Sequence, residues 1–195
     1  MQSTSLQATD ALASAAAPHA RTARSQTVWG MPANPEAPSH DEFEADRGAT
    51  ISLPFERLAC FVDVADCFAD LGVRFSNAIA LVPSNPAYPA GSSARVIVSA
   101  PQNGALELRF DRPAAYLTAW ITSSRAMTVS AKNADGEIVA RAGLACGNLH
   151  GSDSPLPANH PTTVMAPEIH SVTFSAFDGQ IAVRDLAFAF AHDAS

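Results

Sequence analysis

The sequence predicts an all-β domain, a two-sheet antiparallel jelly-roll β-sandwich preceded by a disordered N-terminal tail. Three observations predict it. After Gly48 the chain breaks into short apolar runs separated by Gly, Pro, Asn, Asp and Ser, the texture of many strands and turns. Several runs alternate, as in Leu106-Glu107-Leu108-Arg109-Phe110 and again around Val172 and Phe174. Successive side chains of a strand point to opposite faces, so this pattern suits a strand with one buried side. Two Asp-Gly steps, Asp135-Gly136 and Asp178-Gly179, fall between such runs, where hairpin turns call for positive φ.

In chain order the expected strands are residues 50–54, 73–75, 78–82, 94–99, 105–110, 115–122, 126–132, 137–142, 162–165, 169–175 and 180–190. Only residues 63–71 look helical, and at most as a short turn. Many short strands without intervening helical patterns argue for a sandwich over an α/β fold. At 195 residues and 47% hydrophobic, the chain supports one core of ordinary size. The expected division is a tail over residues 1–48 and a jelly-roll domain over residues 49–195.

The tail is rich in Ala, Ser, Pro and Thr, carries no sustained apolar period and ends in an acidic run between Asp41 and Asp46. It has too little apolar surface to offset the entropy of ordering. Val28, Trp29 and Met31 are its one apolar cluster and could dock on the domain or on a partner.

A formal charge of -7 disfavours nucleic acid and anionic membranes, since both select for a basic face. Membrane insertion is not expected, because no stretch approaches the roughly 20 apolar residues a spanning helix needs. No secretory signal is visible, since the first ten residues lack a basic residue and residues 11–17 are only weakly apolar. Cys60, Cys67 and Cys146 are odd in number, so at least one thiol stays unpaired. Cys60 and Cys67 are expected as small core residues, with a bridge between them as the alternative.

The segments Phe55-Glu56, ADLGVRFSNAIAL (69–81), LELRFDRPAAYLTAWITSS (106–124), MTVSAKNADGEIVA (127–140), IHSVTFSA (169–176) and IAVRDLAF (181–188) resemble the jelly-roll domain of bacterial PEP-CTERM (exosortase-sorted) surface proteins. The resemblance spans about residues 51–190 and implies a galactose-binding-like fold related to carbohydrate-binding modules. It also implies an extracellular or exported setting, and in some members a structural calcium. For most members it implies no established activity. Two departures stand out. No sorting signal or apolar anchor follows Phe190, so anchoring by that route is not expected. The closing motif, where the family has two carboxylates, reads Arg184-Asp185-Leu186.

Glu56 and Asp185 are the calcium positions the resemblance offers, with Asp63, Asp66 and Asp70 as helpers; a surface salt bridge is the competing reading. For ligand binding, two long loops are the candidates, because loops on a rigid sandwich are common binding surfaces. Residues 147–161 carry Asn148, His150, Ser152, Asp153, Asn159 and His160, polar groups suited to sugar hydroxyls. Residues 83–93 present Tyr88 beside Asn85 and Pro86, and an exposed Tyr can stack on a sugar ring. Turn-making and packing are the plain alternatives for both loops.

Catalysis is not expected. His150, His160 and His170 recur at ten-residue spacing, which puts no two imidazoles on one face for zinc. The run of Cys146, Asn148 and His150 does not make a triad by proximity in sequence. The expected function is therefore a non-catalytic module binding a carbohydrate or cell-surface polymer through residues 83–93 and 148–160. The alternatives are an assembly protein that self-associates through sandwich edges or the tail, and an exported bacterial effector whose tail is its export signal.

Overall fold

A computed structural model describes residues 31–32, 49–90, 94–100 and 104–191. The expected tail therefore lies outside the described residues, apart from Met31 and Pro32, and so do Val28 and Trp29. The strands are β1 (Met31–Pro32), β2 (Ile51–Ser52), β3 (Val73–Ser76), β4 (Ala78–Leu81), β5 (Val96–Ser99), β6 (Ala105–Ser123), β7 (Met127–Lys132), β8 (Ile138–Leu144), β9 (His160–Ser175) and β10 (Ile181–Phe190). Two 3-10 turns, Phe55–Arg57 and Ala69–Leu71, are the only helical pieces among the described residues. No helix among them is long and apolar enough to cross a membrane.

The fold is the expected antiparallel jelly-roll sandwich, and its two sheets share their longest strands. Hydrogen bonds run in the order β1-β8-β7-β9-β6-β10-β5-β4, with β2 added on β10 and β3 on β6. The first part of β6 pairs with β3 and with the end of β9, from Ala105↔Ser175 to Arg109↔Ser171. Its second part pairs with the start of β9, from Tyr116↔Met165 to Ile121↔His160, and with β10. Register shifts separate the two parts, between Arg109 and Ala114 and again before Tyr116.

The shift changes which residues face inward. Leu106, Leu108 and Phe110 are buried before it and Leu117, Ala119 and Ile121 after it, so the inward positions pass from even to odd. Because the side-chain period of a strand is two, one irregularity at a bend re-aims every later side chain. Strands that change sheets through bulges are a standard way to turn a sandwich corner. Pro113 sits at this corner, where its missing N–H costs no ladder bond. The sequence reading split this strand into residues 105–110 and 115–122, and β9 into residues 162–165 and 169–175. Both pairs are single bent strands.

The hairpin expected at residues 133–136 joins β7 to β8. Asn133 Oδ1 accepts from the Asp135 and Glu137 backbone N–H groups at 3.1 and 2.9 Å, and Gly136 takes φ +80°. The second expected hairpin is corrected. The turn at residues 177–179 joins β9 to β10, yet these strands do not pair; each lies against β6. Asp178 supplies the positive φ, at 50°. Residues 63–71 form turns and the 3-10 turn Ala69–Leu71, consistent with the short helical piece expected.

Between the sheets, Phe55, Phe68 and Phe75 follow one another at ring-centroid distances of 5.9 and 6.0 Å. Phe110, Phe188 and Phe190 form a second group, with Phe188 at 5.0 Å from Phe110 and 5.1 Å from Phe190. Each such ring, fully buried, contributes about 1.5–3 kcal/mol by leaving water, and tilted or edge-on aromatic pairs add to this. Gly72 ends the turn Ala69–Leu71 in the left-handed region at φ +78°, and a Cβ there would lie 2.8 Å from Phe190 Cζ. Glycine thus meets two demands at the entry to β3.

Cys60, Cys67 and Cys146 are all free. Cys60 and Cys67 are exposed, which corrects their expected place in the core. The chain around them runs outside β4, where Phe61 N–H bonds to Ala80 O at 2.7 Å and Val64 N–H to Ala78 O at 3.0 Å. Phe55, Val64 and Phe68 supply the buried side chains of that segment, leaving the thiols outside.

Candidate functional site

The two loops singled out in the sequence lie together. The His150 backbone N–H donates to the Ala87 carbonyl at 3.0 Å, and the Asn159 side-chain amide donates to the Pro89 carbonyl at 2.9 Å. Neither loop alone has a sheet to pair with, so each satisfies part of its backbone on the other.

Asn148 anchors the longer loop and is wholly buried. Its Oδ1 accepts from the Ser123 N–H at 2.7 Å, and its Nδ2 donates to the carbonyls of Ile121 at 2.9 Å and Pro157 at 2.8 Å. Both amide hydrogens are used. The loop can approach this closely because residue 147 is glycine: a Cβ there would lie 2.6 Å from the Ser124 carbonyl oxygen. Asn148 is therefore corrected from ligand contact to structural latch. With its amide committed to backbone carbonyls it does not orient His150 either, which removes the orienting member from the grouping of Cys146, Asn148 and His150.

Asn159 is also largely committed to the scaffold. Its Oδ1 accepts from Thr122 Oγ1 at 3.2 Å, and its backbone N–H donates back to Thr122 Oγ1 at 2.8 Å. Asn85 turns the shorter loop: its Oδ1 accepts from the Ala87 N–H at 3.0 Å, and the Tyr88 N–H bonds to the Asn85 carbonyl at 3.0 Å. This local turn fixes where Tyr88 stands. His150 and Asp153 are exposed on the longer loop, and the Ser152 hydroxyl donates to the Leu149 carbonyl at 2.7 Å.

Tyr88 is half-buried and lines a cavity of about 200 Å³. Its floor is the outer face of the β4-β5-β10 sheet, contributed by Leu81, Val96, Val98 and Ala182, while Asn85, Ser99 and Gln180 add polar groups. The strand pairs Leu81↔Val96 and Ala182↔Val98 place these small apolar side chains side by side. An apolar floor, an aromatic wall and a few polar groups are the composition of a small-molecule site. Of the lining, the sequence reading found Tyr88 and Asn85. It missed Ser99, Gln180 and the apolar floor. Outward apolar residues on β4 and β5 were a signal for the floor, since a solvated face would carry polar residues there.

His160 begins β9, with its Nδ1 buried and without a hydrogen-bond partner. Burial lowers its pKa below the usual histidine value, because a charged imidazole loses solvation there. It thus belongs to the scaffold, opposite Ile121.

The residues that the resemblance offers for calcium are Glu56 and Asp185, with Asp63, Asp66 and Asp70 as helpers. Glu56 is exposed on the turn Phe55–Arg57, and Asp185 is ion-paired with its neighbour Arg184. Asp66 pairs with Arg74 at 3.3 Å, Asp63 Oδ1 accepts from the Ala65 N–H at 3.0 Å, and Asp70 is exposed. Calcium takes six to eight oxygens. Among the described residues no group of three or more His, Cys, Asp or Glu could hold a metal ion.

No family model matches the chain, and no curated protein matches it. Among solved structures it is similar to a family 29 carbohydrate-binding module complexed with mannohexaose. That match has 10% identity and a TM-score of 0.38, covering 62% of this chain and 82% of the other. A second similar structure is TmCBM61 in complex with β-1,4-galactotriose. Its identity is 8% and its TM-score 0.31, over 69% of this chain and 96% of the other.

Proposed function

We propose that the chain is a non-catalytic binding module that takes a carbohydrate or cell-surface polymer at the cavity beside Tyr88. The observation that carries this reading is the position of Tyr88. Tyr88 lines the same cavity as the apolar sheet residues Leu81, Val96, Val98 and Ala182, on a loop fixed by Asn85 and braced by the longer loop through Asn159 and His150. A braced aromatic loses little freedom on binding, which favours stacking of a sugar ring. Asn85, Ser99 and Gln180 then supply hydrogen bonds to hydroxyls, with His150 and Asp153 as outlying polar groups on the neighbouring loop. The test is a glycan array probed with the wild-type chain and with Tyr88→Ala. Retention of a defined set of glycans that Tyr88→Ala no longer retains supports the reading. Retention unchanged by Tyr88→Ala, or none by either protein, contradicts it.

One observation favours a second reading, self-association through a sandwich edge. Met31–Pro32 adds to the outer strand β8, at Met31↔Arg141 and Pro32↔Ala140, so that edge accepts an extra strand, as in strand-addition complexes. Sedimentation of the full chain and of a chain starting at residue 49 tests it. Association that depends on the tail supports it, and monomers in both cases contradict it.

A further inference from the structure

We infer that the site is an extended groove that takes a saccharide chain rather than a single sugar; this rests on the carbohydrate reading above and deepens it. The cavity beside Tyr88 is continuous in its lining with a second, larger cavity of about 800 Å³. Ser99 and Gln180 line both. The second cavity is also lined by the turn that carries Phe177, Asp178 and Gly179.

The larger cavity has a rigid base. Gln180 N–H donates to Ser124 Oγ at 2.9 Å, and Ser124 N–H donates to the Gln180 carbonyl at 3.0 Å. This reciprocal pair fixes the Gln180 backbone at the junction of the two cavities, with its side chain exposed. A side-chain amide has two donors and an acceptor, enough to bridge hydroxyls of adjoining sugars. Asp178 adds a carboxylate to the lining of the larger cavity.

Phe177 is 96% exposed, although it follows the packed end of β9 and no solvent-facing turn calls for a phenyl ring. Phe and Tyr both offer a flat apolar face to the apolar side of a sugar ring, and here one lines each of the two adjoining cavities. The first cavity alone, at about 200 Å³, is small beside the roughly 300–1,000 Å³ typical of ligand sites. The joined groove reaches that range, and its open, mixed lining suits a chain of several hydroxylated rings.

Isothermal titration with monosaccharides, disaccharides, trisaccharides and tetrasaccharides of mannose, glucose and galactose tests this. Affinity is expected to rise by about tenfold from monosaccharide to tetrasaccharide in the series that binds, roughly 1.4 kcal/mol. Phe177→Ala, at an exposed turn, should remove that increment. Tyr88→Ala should weaken every length. Monosaccharide and tetrasaccharide binding equally well, or tetrasaccharide binding unaffected by Phe177→Ala, overturns the extended groove and leaves the Tyr88 site standing. Failure of the wild-type chain to bind any of these saccharides overturns both.

Discussion

Asn159 donates its side-chain amide to the Pro89 carbonyl at 2.9 Å, a bond that joins two loops 70 residues apart in sequence. The same residue also exchanges bonds with Thr122 on β6. It is thus the point at which the shorter loop, the longer loop and the sheet meet. Asn159→Ala should lower stability by about 1–2 kcal/mol, from lost hydrogen bonds and from alanine in the left-handed region that Asn159 occupies at φ 54°. Urea unfolding measures that loss. Saccharide affinity should fall as well, although Asn159 need not touch the ligand, because Tyr88 would lose the brace on its loop.

Asn148 should matter for folding and not for recognition. Asn148→Ala strands a buried N–H of Ser123 and the carbonyl of Ile121, for a cost of about 2–4 kcal/mol. Asn148→Asp should be worse than alanine near neutral pH, since its carboxylate would face two carbonyl oxygens with no proton to give. Thermal or urea unfolding of the two variants checks the order. Equal stability to wild type would contradict the latch.

His160 gives stability a pH dependence. Burial holds its folded pKa below the usual value of 6.5, so the unfolded chain binds the proton more readily than the folded one. Its contribution is fully present above pH 6.5 and is lost as pH falls from there through the folded pKa. His160→Gln should flatten the stability profile over that window. Urea midpoints from about pH 7.5 to 5 for wild type and variant test the assignment; identical slopes would contradict it.

Gly72→Ala should destabilise by about 1–3 kcal/mol. The new Cβ meets Phe190 Cζ and must also hold φ +78°, which compounds overpacking with backbone strain. Guanidinium unfolding measures the change. Gly136→Ala makes a useful control, since Gly136 has a similar φ of +80° with open space around it, and it should lose less.

The strands were legible wherever one face is buried and the other wet, as at Leu106 to Phe110 and at Val172 to Phe174. The turn at Asn133 to Gly136 was legible because its bonds are local. Continuity through the corner at Asp111-Arg112-Pro113 was not, since a proline reads as a stop and the bulge that accommodates it depends on β3 and β9. For the same reason, the turn at Phe177 to Gly179 read as a hairpin: its local chemistry fits one, and only the insertion of β6 between β9 and β10 says otherwise. At the site, the sequence pointed to two loops and the structure joins them. Asn148 was misread because an asparagine beside glycine in a polar loop carries no mark of burial. Its role comes from Ser123 and Ile121, which are distant in sequence. Phe177 did leave a signal that went unused, an apolar ring at the tip of a turn.

The measurement that tests the carbohydrate reading most directly is an amide-resolved NMR titration of the full chain with a glycan retained on the array. Shifts are predicted to cluster at Asn85, Ala87, Tyr88, Ser99 and Gln180. Shifts confined to the opposite sheet, around β7 and β8, or no shifts at all, would contradict it.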